Sequence, residues 1–266
     1  MSIVPPVPPH GALPLAGRLV VVTGGAQGIG RGIAQAVLSQ GGSVAILDRD
    51  GEAARACIAE WDAGSRASAL VVDVAREAAV TRALQRLLER HGALHGLVNN
   101  AGIADPHHGP LDHLSLAEWR RRIDSHLISA FLCTRAALPA LRAARGTIVN
   151  IASTRAHQSE PHTEAYAAAK GALLAFTHAL SVSEGPRVRV NCVSPGWIAT
   201  DAWRKPSARR RPRLSADDHA QHPAGRVGTP EDIGHLVAWL LGPSSGFVTG
   251  QEFVADGGMS RAMIYR

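Results

Sequence analysis

Cysteine is scarce in this 266-residue chain. The three cysteines, Cys57, Cys133 and Cys192, lie far apart and form no Cys-x-x-Cys pair. This spacing argues against a disulfide framework and against a structural zinc site, and we expect no metal centre. We expect the three thiols to pack in the interior of a protein from a reducing compartment, and we assign that protein to the cytoplasm.

Long apolar runs and targeting signals are also lacking. No apolar run has the length needed to span a bilayer, so we expect no association with a membrane. Residues 1–14 are rich in proline and lack the basic and apolar regions of a signal peptide. With 45% apolar residues, the remaining chain can form a substantial core. We therefore expect a flexible tail over 1–14 and one domain over 15–266.

Lysine is scarcer still, because only Lys170 and Lys205 are lysines among the 28 basic residues. The formal charge of +6 would permit nucleic-acid binding. However, the densest basic cluster, 204–213, is interrupted by prolines and matches no nucleic-acid-binding motif. We expect a solvated loop there and no nucleic-acid partner. Attraction of an acidic substrate or cofactor is the alternative role for this cluster.

From Leu19 onward, short apolar runs alternate with helical stretches, which is typical of repeated βαβ units. This pattern predicts an α/β fold with a doubly wound parallel sheet. The predicted strands are Leu19–Thr23, Ser43–Leu47, Ala67–Val72, Leu94–Val98 and Gly146–Ala152. The predicted helices include one ending near Gln40, one over Glu77–His91 and one over Glu164–Ser183.

A glycine-rich stretch joins the first predicted strand to the first helix. Glycines let backbone N–H groups approach a diphosphate closely, and the helix N-terminus adds partial positive charge. A tight turn without a ligand would also use glycine, but the position between strand and helix favours a dinucleotide site. The candidate cofactor residues here are Gly24, Gln27, Gly28, Ile29 and Gly30.

Acidic residues follow the second and third predicted strands. Asp48 is positioned to accept hydrogen bonds from an adenosine ribose, and its charge would repel a 2′-phosphate. NAD is therefore favoured over NADP, although Arg49 would partly compensate the charge. Asp73 and Val74 are expected to meet the adenine. The alternative for both acids is a helix cap.

Tyr166 and Lys170 lie four residues apart on a predicted helix and so share one face. A nearby cation favours the phenolate, which makes a tyrosine usable as a proton donor or acceptor near neutral pH. Ser153 comes at the carboxyl end of the fifth predicted strand, the edge at which open α/β sheets bind ligands. A solvated helix pair and a turn hydroxyl are the alternatives.

Several motifs together resemble the short-chain dehydrogenase/reductase family, over roughly Leu15 to Met259. A Thr-Gly-x-x-x-Gly-x-Gly string, an Asn-Asn-Ala-Gly string and a serine thirteen residues before Tyr-x-x-x-Lys occur in the family's order. Later segments agree, and they are Asn191–Gly196, Gly225–Asp232 and Thr249–Gly258. The resemblance implies a Rossmann fold and a nicotinamide cofactor.

The resemblance also implies roles for individual residues. Ser153 would bind the substrate oxygen, Tyr166 would exchange the proton, and Lys170 would assist the tyrosine and hold the nicotinamide ribose. Residues 201–223 would be the substrate lid, and the long helices would form a homotetramer or homodimer. The further cofactor residues implied are Asn100, Ala101, Gly102, Pro195, Gly196, Ile198 and Thr200.

One residue departs from the family pattern. Members usually have an asparagine on the long helix after the fourth strand, where this chain has His126. That asparagine holds a water that links the lysine to solvent, partly through its backbone carbonyl. We expect the relay to persist, with the imidazole replacing the amide or titrating near pH ~6.5. The alternative is a histidine packed at a helix kink, without a part in proton transfer.

These observations indicate an enzyme that transfers a hydride between NAD(H) and a secondary alcohol or ketone. One alternative is an NADP(H)-dependent reductase of 3-oxoacyl thioesters, which Asp48 disfavours. The other is a dinucleotide-binding regulatory protein without turnover. The lid and the loop 103–114 would choose the substrate. The loop histidines are expected to line the pocket or face solvent, and they are His107, His108, His157 and His162.

Overall fold

A computed structural model describes residues 13–263. All but the last two residues of the predicted tail, 1–14, therefore lie outside the described part of the chain. The strands within it are β1 Leu19–Thr23, β2 Ser43–Asp48, β3 Ala67–Val71, β4 Gly96–Asn99, β5 Thr147–Ile151, β6 Arg189–Pro195 and β7 Glu252–Ala255. They form one parallel sheet in the order β3-β2-β1-β4-β5-β6-β7.

Helices cover both faces of this sheet. Their bounds are α1 Gly28–Ser39, α2 Gly51–Trp61, α3 Glu77–His91, α4 Leu116–Ile123, α5 Ser129–Ala144, α6 Glu164–Glu184, α7 Ala216–Ala220 and α8 Pro230–Leu241. The side chain of Asp50 accepts hydrogen bonds from two backbone N–H groups and so caps α2. At the start of α8, the carboxylate of Asp232 accepts hydrogen bonds from the backbone N–H and the hydroxyl of Thr229, at 2.8 and 3.2 Å, and Pro230 occupies the first helical position.

The core lies in two layers, one on each side of the sheet. Val22 packs with Ile33 of α1 and Val237 of α8, whereas Val21 faces the other layer with Leu141 of α5. Successive strand side chains point to opposite faces, so burial on both faces requires a strand that is apolar throughout. This explains the unbroken apolar run of β1, which is buried at every position.

The doubly wound α/β fold predicted from the sequence is confirmed, and the predicted strand ends lie within two residues of the observed ones. The strand order reverses between β1 and β4. From this point the sheet extends through β2 to β3 on one side, and through β5 and β6 to β7 on the other. Open α/β sheets bind ligands beyond the carboxyl ends of the strands at such a switch point. The fold therefore indicates where a site should lie.

The helix from α4 to α5 corrects one expectation. It runs without a break over Leu116–Ala144 and includes a π-helical turn at Asp124–Ile128. Its most apolar window has a mean hydropathy of 1.3, so by length and composition it would suffice to cross a membrane, contrary to the reading of the sequence. In the structure, α5 packs against α3 and β4, and α4 packs against α6, as expected of a helix within the domain.

Candidate active site

An open cavity of about 1480 Å³ lies at the carboxyl ends of the central strands. It is lined by every residue that the sequence predicts for the site, with the exception of Gly30. Sites for a single drug-sized ligand enclose roughly 300–1,000 Å³. The cavity therefore has room for a large cofactor together with a small substrate.

The turn between β1 and α1 depends on its glycines. Gly24 and Gly28 have positive φ values of 62° and 56°, which side chains with a Cβ rarely adopt. A Cβ on Gly30 would lie 2.1 Å from the carbonyl oxygen of Gly24, so this glycine allows the helix to pack against the turn. Gly30 therefore does not line the cavity, and its role in binding the cofactor stays a prediction. Asn100 fixes the turn by donating to the carbonyls of Thr23 and Gly24, at 3.0 and 3.1 Å.

Asp48 ends β2 and faces the same turn. Its carboxylate accepts hydrogen bonds from the backbone N–H groups of Ala26, at 3.1 Å, and Asp50, at 3.0 Å. Asp50, and not Asp48, is the cap of α2, and Arg76, and not Asp73, precedes α3. The two alternatives that made these acids helix caps are therefore wrong. A glycine cradle beside a helix N-terminus, followed by a strand-end carboxylate, fits the diphosphate and ribose of a dinucleotide.

Tyr166, Lys170 and Ser153 meet at the other end of the cavity. The Nζ atom of Lys170 lies 5.5 Å from the centre of the Tyr166 ring and donates a 2.8 Å hydrogen bond to the carbonyl of Ile151, the last residue of β5. Lys170 is only 4% exposed. Ser153 is buried as well, and its Oγ accepts from the N–H of Arg155 at 3.2 Å. The strand end thus holds both the serine and the ammonium near the tyrosine.

His126 lies against this group, within the π-helical turn. Its ring meets the Tyr166 ring edge-on, with 5.2 Å between the ring centres. The ring is buried, and its nitrogens make no hydrogen bond of good geometry among the described residues, although the nearby backbone of Ile103 partly favours the charged form and so raises the pKa. Burial, and then the charge of Lys170, lowers the pKa of His126 to about 2. The expected titration near pH ~6.5 is therefore wrong, and the imidazole stays neutral through the range in which histidine ordinarily titrates.

A buried network of hydrogen-bonded amide and hydroxyl side chains stabilises the elements that form the site. Asn99 donates to the side chain of Asn150 at 2.8 Å and to Thr134 at 3.1 Å, and Asn150 donates to Thr177 at 2.9 Å. These bonds tie β4 and β5 to α5, which follows the turn of His126, and to α6, which carries Tyr166 and Lys170. The Asn-Asn-Ala-Gly string indicated Asn99, whereas Asn150, inside an apolar strand, was missed.

The lid differs from the expected solvated loop. Residues 201–223 include short helical turns and α7. Lys205 forms ion pairs with Asp50 and Glu52, and Arg209 pairs with Glu60. Part of the basic cluster is therefore engaged by helix α2, which no local sequence pattern could reveal.

The loop histidines do not line the cavity, which corrects that alternative for them. His108 is buried with its Nε2 atom 3.0 Å from Glu164, and His157 binds the carboxylate of Glu252 at 2.8 Å. Other side chains that line the cavity gave no signal in the sequence. Among them are Arg120, Arg121, Asp124, Arg155, Gln158 and Glu160.

The family model described as enoyl-(acyl carrier protein) reductase matches residues 24–260. An uncharacterized oxidoreductase of Thermotoga maritima is 44% identical, over 94% of this chain and 99% of the relative. A 2-(S)-hydroxypropyl-CoM dehydrogenase 3 of Xanthobacter autotrophicus is 38% identical, over 92% and 98%. A 3-oxoacyl-(acyl-carrier-protein) reductase of Chlamydia muridarum is 36% identical, over 92% and 98%.

Solved structures agree with these matches. An apo SCOR enzyme from Clostridium thermocellum superimposes with a TM-score of 0.82 at 36% identity, over 93% of this chain and 95% of that chain. The match to the family and the near-complete coverage of the relatives confirm the resemblance seen in the sequence motifs. The chain belongs to the short-chain dehydrogenase/reductase family, oxidoreductases that act on small molecules with a nicotinamide dinucleotide cofactor.

Proposed function

We propose that the protein transfers a hydride between NAD(H) and a secondary alcohol or ketone. The observation that carries this proposal is the group of Ser153, Tyr166 and Lys170 at one end of a cavity whose other end is formed by the glycine-rich turn and Asp48. The end of β5 and the end of β2 are separated by two strands, β4 and β1. A cofactor with two nucleotides suits that separation.

In this proposal, Tyr166 is the general base in oxidation and the general acid in reduction. It takes the hydroxyl proton of the alcohol, while the Ser153 hydroxyl donates to the same oxygen and holds the carbon in position. The bound nicotinamide supplies the acceptor or donor of the hydride. The Nζ atom of Lys170 lies beside the phenol ring, and the carbonyl of Ile151 holds it in place. His126 packs against the phenol as a neutral ring.

The preference for NAD rests on the charges around the end of β2. Three carboxylates, those of Asp48, Asp50 and Glu52, lie at the end of β2 and the start of α2, and the ammonium of Lys205 is already paired with two of them. A 2′-phosphate would therefore meet the carboxylate of Asp48 and no unpaired lysine. The 2′-hydroxyl of NAD needs only an acceptor, which the carboxylate of Asp48 supplies.

Two other functions have specific support. The Chlamydia relative, by its name, reduces 3-oxoacyl groups, which supports an NADP(H)-dependent thioester reductase. Asp48 argues against it. Another Xanthobacter relative, 39% identical, is called an inactive dehydrogenase, which supports a silent dinucleotide-binding protein. The presence of Ser153, Tyr166 and Lys170 argues against that reading.

The Xanthobacter dehydrogenase, named for a 2-hydroxypropyl group, supports a secondary alcohol as substrate.

Several wider assignments belong to the same proposal. We assign the protein to the cytoplasm, as a single dehydrogenase domain over 15–266 with 201–223 as its lid, and without nucleic-acid or membrane partners. We also propose a homotetramer or homodimer. Exposed apolar side chains on the long helix, at Leu116, Ile128 and Phe131, support an interface there. The substrate is a small alcohol or ketone. An acidic one has less support, since the lid cations Lys205 and Arg209 are paired with α2.

The test is NADH production by the wild type and by Tyr166→Phe over a panel of secondary alcohols, polyols, hydroxy acids and hydroxysteroids, repeated with NADP. We expect the variant to bind NADH nearly as tightly and to lose turnover by ~10²- to 10⁴-fold, because only the acid–base group is removed. Turnover that survives in Tyr166→Phe would contradict the assigned role. A wild type that binds NADH but is silent over the whole panel would favour the non-catalytic alternative.

A further inference from the structure

We propose that Lys205 is a positioning residue for the cofactor, which anchors the first part of the lid to helix α2 beside the dinucleotide end of the cavity. We call this part, residues 200–209, the strap. The proposal rests on the assignment of the β2 end of the cavity to the adenosine half of NAD(H). It gives the basic segment a role in retaining the cofactor, in place of attracting a substrate.

The first anchor is a set of contacts from the strap to the first turn of α2. The Nζ atom of Lys205 lies 3.1 Å from a carboxylate oxygen of Asp50 and 2.8 Å from one of Glu52. Ser207 donates to the other oxygen of Glu52 at 2.9 Å. The hydrogen bond from Lys205 lowers the pKa of Glu52, and the two carboxylates raise the pKa of Lys205. Both members of the pair are therefore charged near neutral pH.

A second anchor lies further along the strap. Arg209 donates to both carboxylate oxygens of Glu60, at 2.8 and 3.0 Å. Glu60 also accepts a 2.6 Å hydrogen bond from Arg31 of α1, and the guanidinium of Arg31 lies 5.9 Å from the centre of the Trp203 ring. The strap is thus joined to α1 and α2, the two helices that flank the glycine-rich turn and β2.

The strap also touches the glycine-rich turn itself. The backbone N–H of Lys205 donates to the side-chain carbonyl of Gln27 at 3.0 Å. A Cβ placed on Gly28 would lie 3.5 Å from the methyl group of Thr200. Gln27 directly precedes α1, whose N-terminus is the expected diphosphate site, and Lys205 lines the same cavity. A dinucleotide in this cavity would therefore lie beside the strap, and an anchored strap would slow its release.

The anchors consist of partly exposed ion pairs, since 26% of the Lys205 side chain and 55% of the Glu52 side chain are accessible to solvent. Salt weakens pairs of this kind. Arg211 provides a matched control, because it is an exposed cation two residues beyond the strap and has no ion-pair partner among residues 13–263. Loss of its charge should leave the strap in place.

The experiment measures the rate of NADH dissociation by stopped-flow displacement, together with KM for NAD and KM for the alcohol. The variants are Lys205→Gln, the conservative Lys205→Arg and the control Arg211→Gln. We expect Lys205→Gln to release NADH about two- to fivefold faster, the range that a partly exposed ion pair supports. KM for NAD should rise similarly and KM for the alcohol should not. Lys205→Arg should keep the NADH dissociation rate close to that of the wild type, because it retains the positive charge. Arg211→Gln should match the wild type.

The salt dependence provides a second readout that needs no variant. Between about 0.05 and about 0.5 M salt, NADH should leave the wild type faster, and this acceleration should be smaller in Lys205→Gln. Equal dissociation rates in the wild type, Lys205→Gln and Arg211→Gln would overturn the proposal, as would a change confined to KM for the alcohol. A wild type that does not bind NADH would overturn the proposed function as well, whereas tight NADH binding with unchanged rates overturns the strap alone.

Discussion

The chain contains two lysines, and they lie in opposite kinds of environment within one cavity. Lys170 is 4% exposed, donates to a backbone carbonyl and has no carboxylate partner among the described residues. The Lys205 side chain is 26% exposed and is held between two carboxylates. The ammonium of Lys170 is held in place by burial, whereas the ammonium of Lys205 is held by ion pairs that remain accessible to water. The proposed catalytic end is therefore built from packing, and the proposed adenosine end from charge.

This difference sets how each end responds to change. At the buried end, a lost donor leaves polar groups unpaired in a medium of low dielectric, so single substitutions are expected to have large effects and salt a small one. At the exposed end, each ion pair contributes little by itself, and salt competes with it. The same side chain should thus matter to very different degrees at positions 170 and 205.

The sharpest test of this comparison is the same substitution at both lysines. Lys170→Met keeps an unbranched side chain only one atom shorter and removes the ammonium beside Tyr166. We expect turnover to fall by ~10²- to 10⁴-fold, the range of a positioned acid–base system. Lys205→Met should change turnover by no more than about fivefold, because it removes a partly exposed pair. The measurement is kcat on the best alcohol of the panel.

A thermal melt of both variants serves as the control, since Lys170→Met also leaves the Ile151 carbonyl without its donor. If Lys170→Met is folded and retains turnover within about tenfold of the wild type, the ammonium has no part in proton transfer. Comparable losses in the two variants would show that turnover depends equally on the buried and on the ion-paired ammonium.

The fold could be predicted because its signals are local. Strands that are apolar at every position, such as β1, indicate burial on both faces, and alternation with helices then implies a parallel sheet. Strand ends were less certain. The predicted fourth strand began at Leu94 and the observed one begins at Gly96. Leu94 is fully buried although it lies outside the strand, and an apolar pattern does not separate these two cases.

The site could be predicted only in part. Residues at strand ends, such as Ser153 and Asp48, were identified because a parallel sheet brings its carboxyl ends to one edge. Contacts between distant segments gave no signal, since Lys205 meets Glu52 across 153 positions of sequence. The neutral state of His126 was also hidden, because it depends on burial beside Lys170 that only the packed structure reveals. The catalytic and cofactor roles themselves stay predictions.

Cofactor choice tests the adenosine end with an effect of intermediate size. Asp48→Ser removes the carboxylate and keeps a hydroxyl. We expect the ratio of kcat/KM with NADP to that with NAD to rise by ~10- to 100-fold, since a hydrogen bond to a charged acceptor contributes ~1.5–3 kcal/mol and the repulsion of a 2′-phosphate is relieved. Asp73→Ser, at the end of the neighbouring strand, is the control. A ratio unchanged by Asp48→Ser, or changed equally by both, would remove Asp48 from cofactor selection.

The smallest effect is expected from the pH dependence of stability, which probes the buried end. His126 binds a proton in the folded protein only near pH 2, whereas in the unfolded chain it does so near pH ~6.5. Between these values the unfolded state holds more protons, so the free energy of unfolding falls as pH falls, by up to ~1.4 kcal/mol per pH unit for this one group. His126→Asn should remove that contribution, and urea unfolding at pH 7, 6 and 5 measures it.

The matched control is His113→Asn, because 78% of the His113 side chain is exposed. It should leave the pH dependence of stability unchanged. His126→Asn should also leave the pH–rate profile unaltered between pH ~5 and ~8, since the ring is neutral throughout that range. A profile that shifts in His126→Asn would mean that the imidazole takes up a proton in the folded protein. Burial would then not control charge at the catalytic end, and the contrast between the two lysines would lose its physical basis.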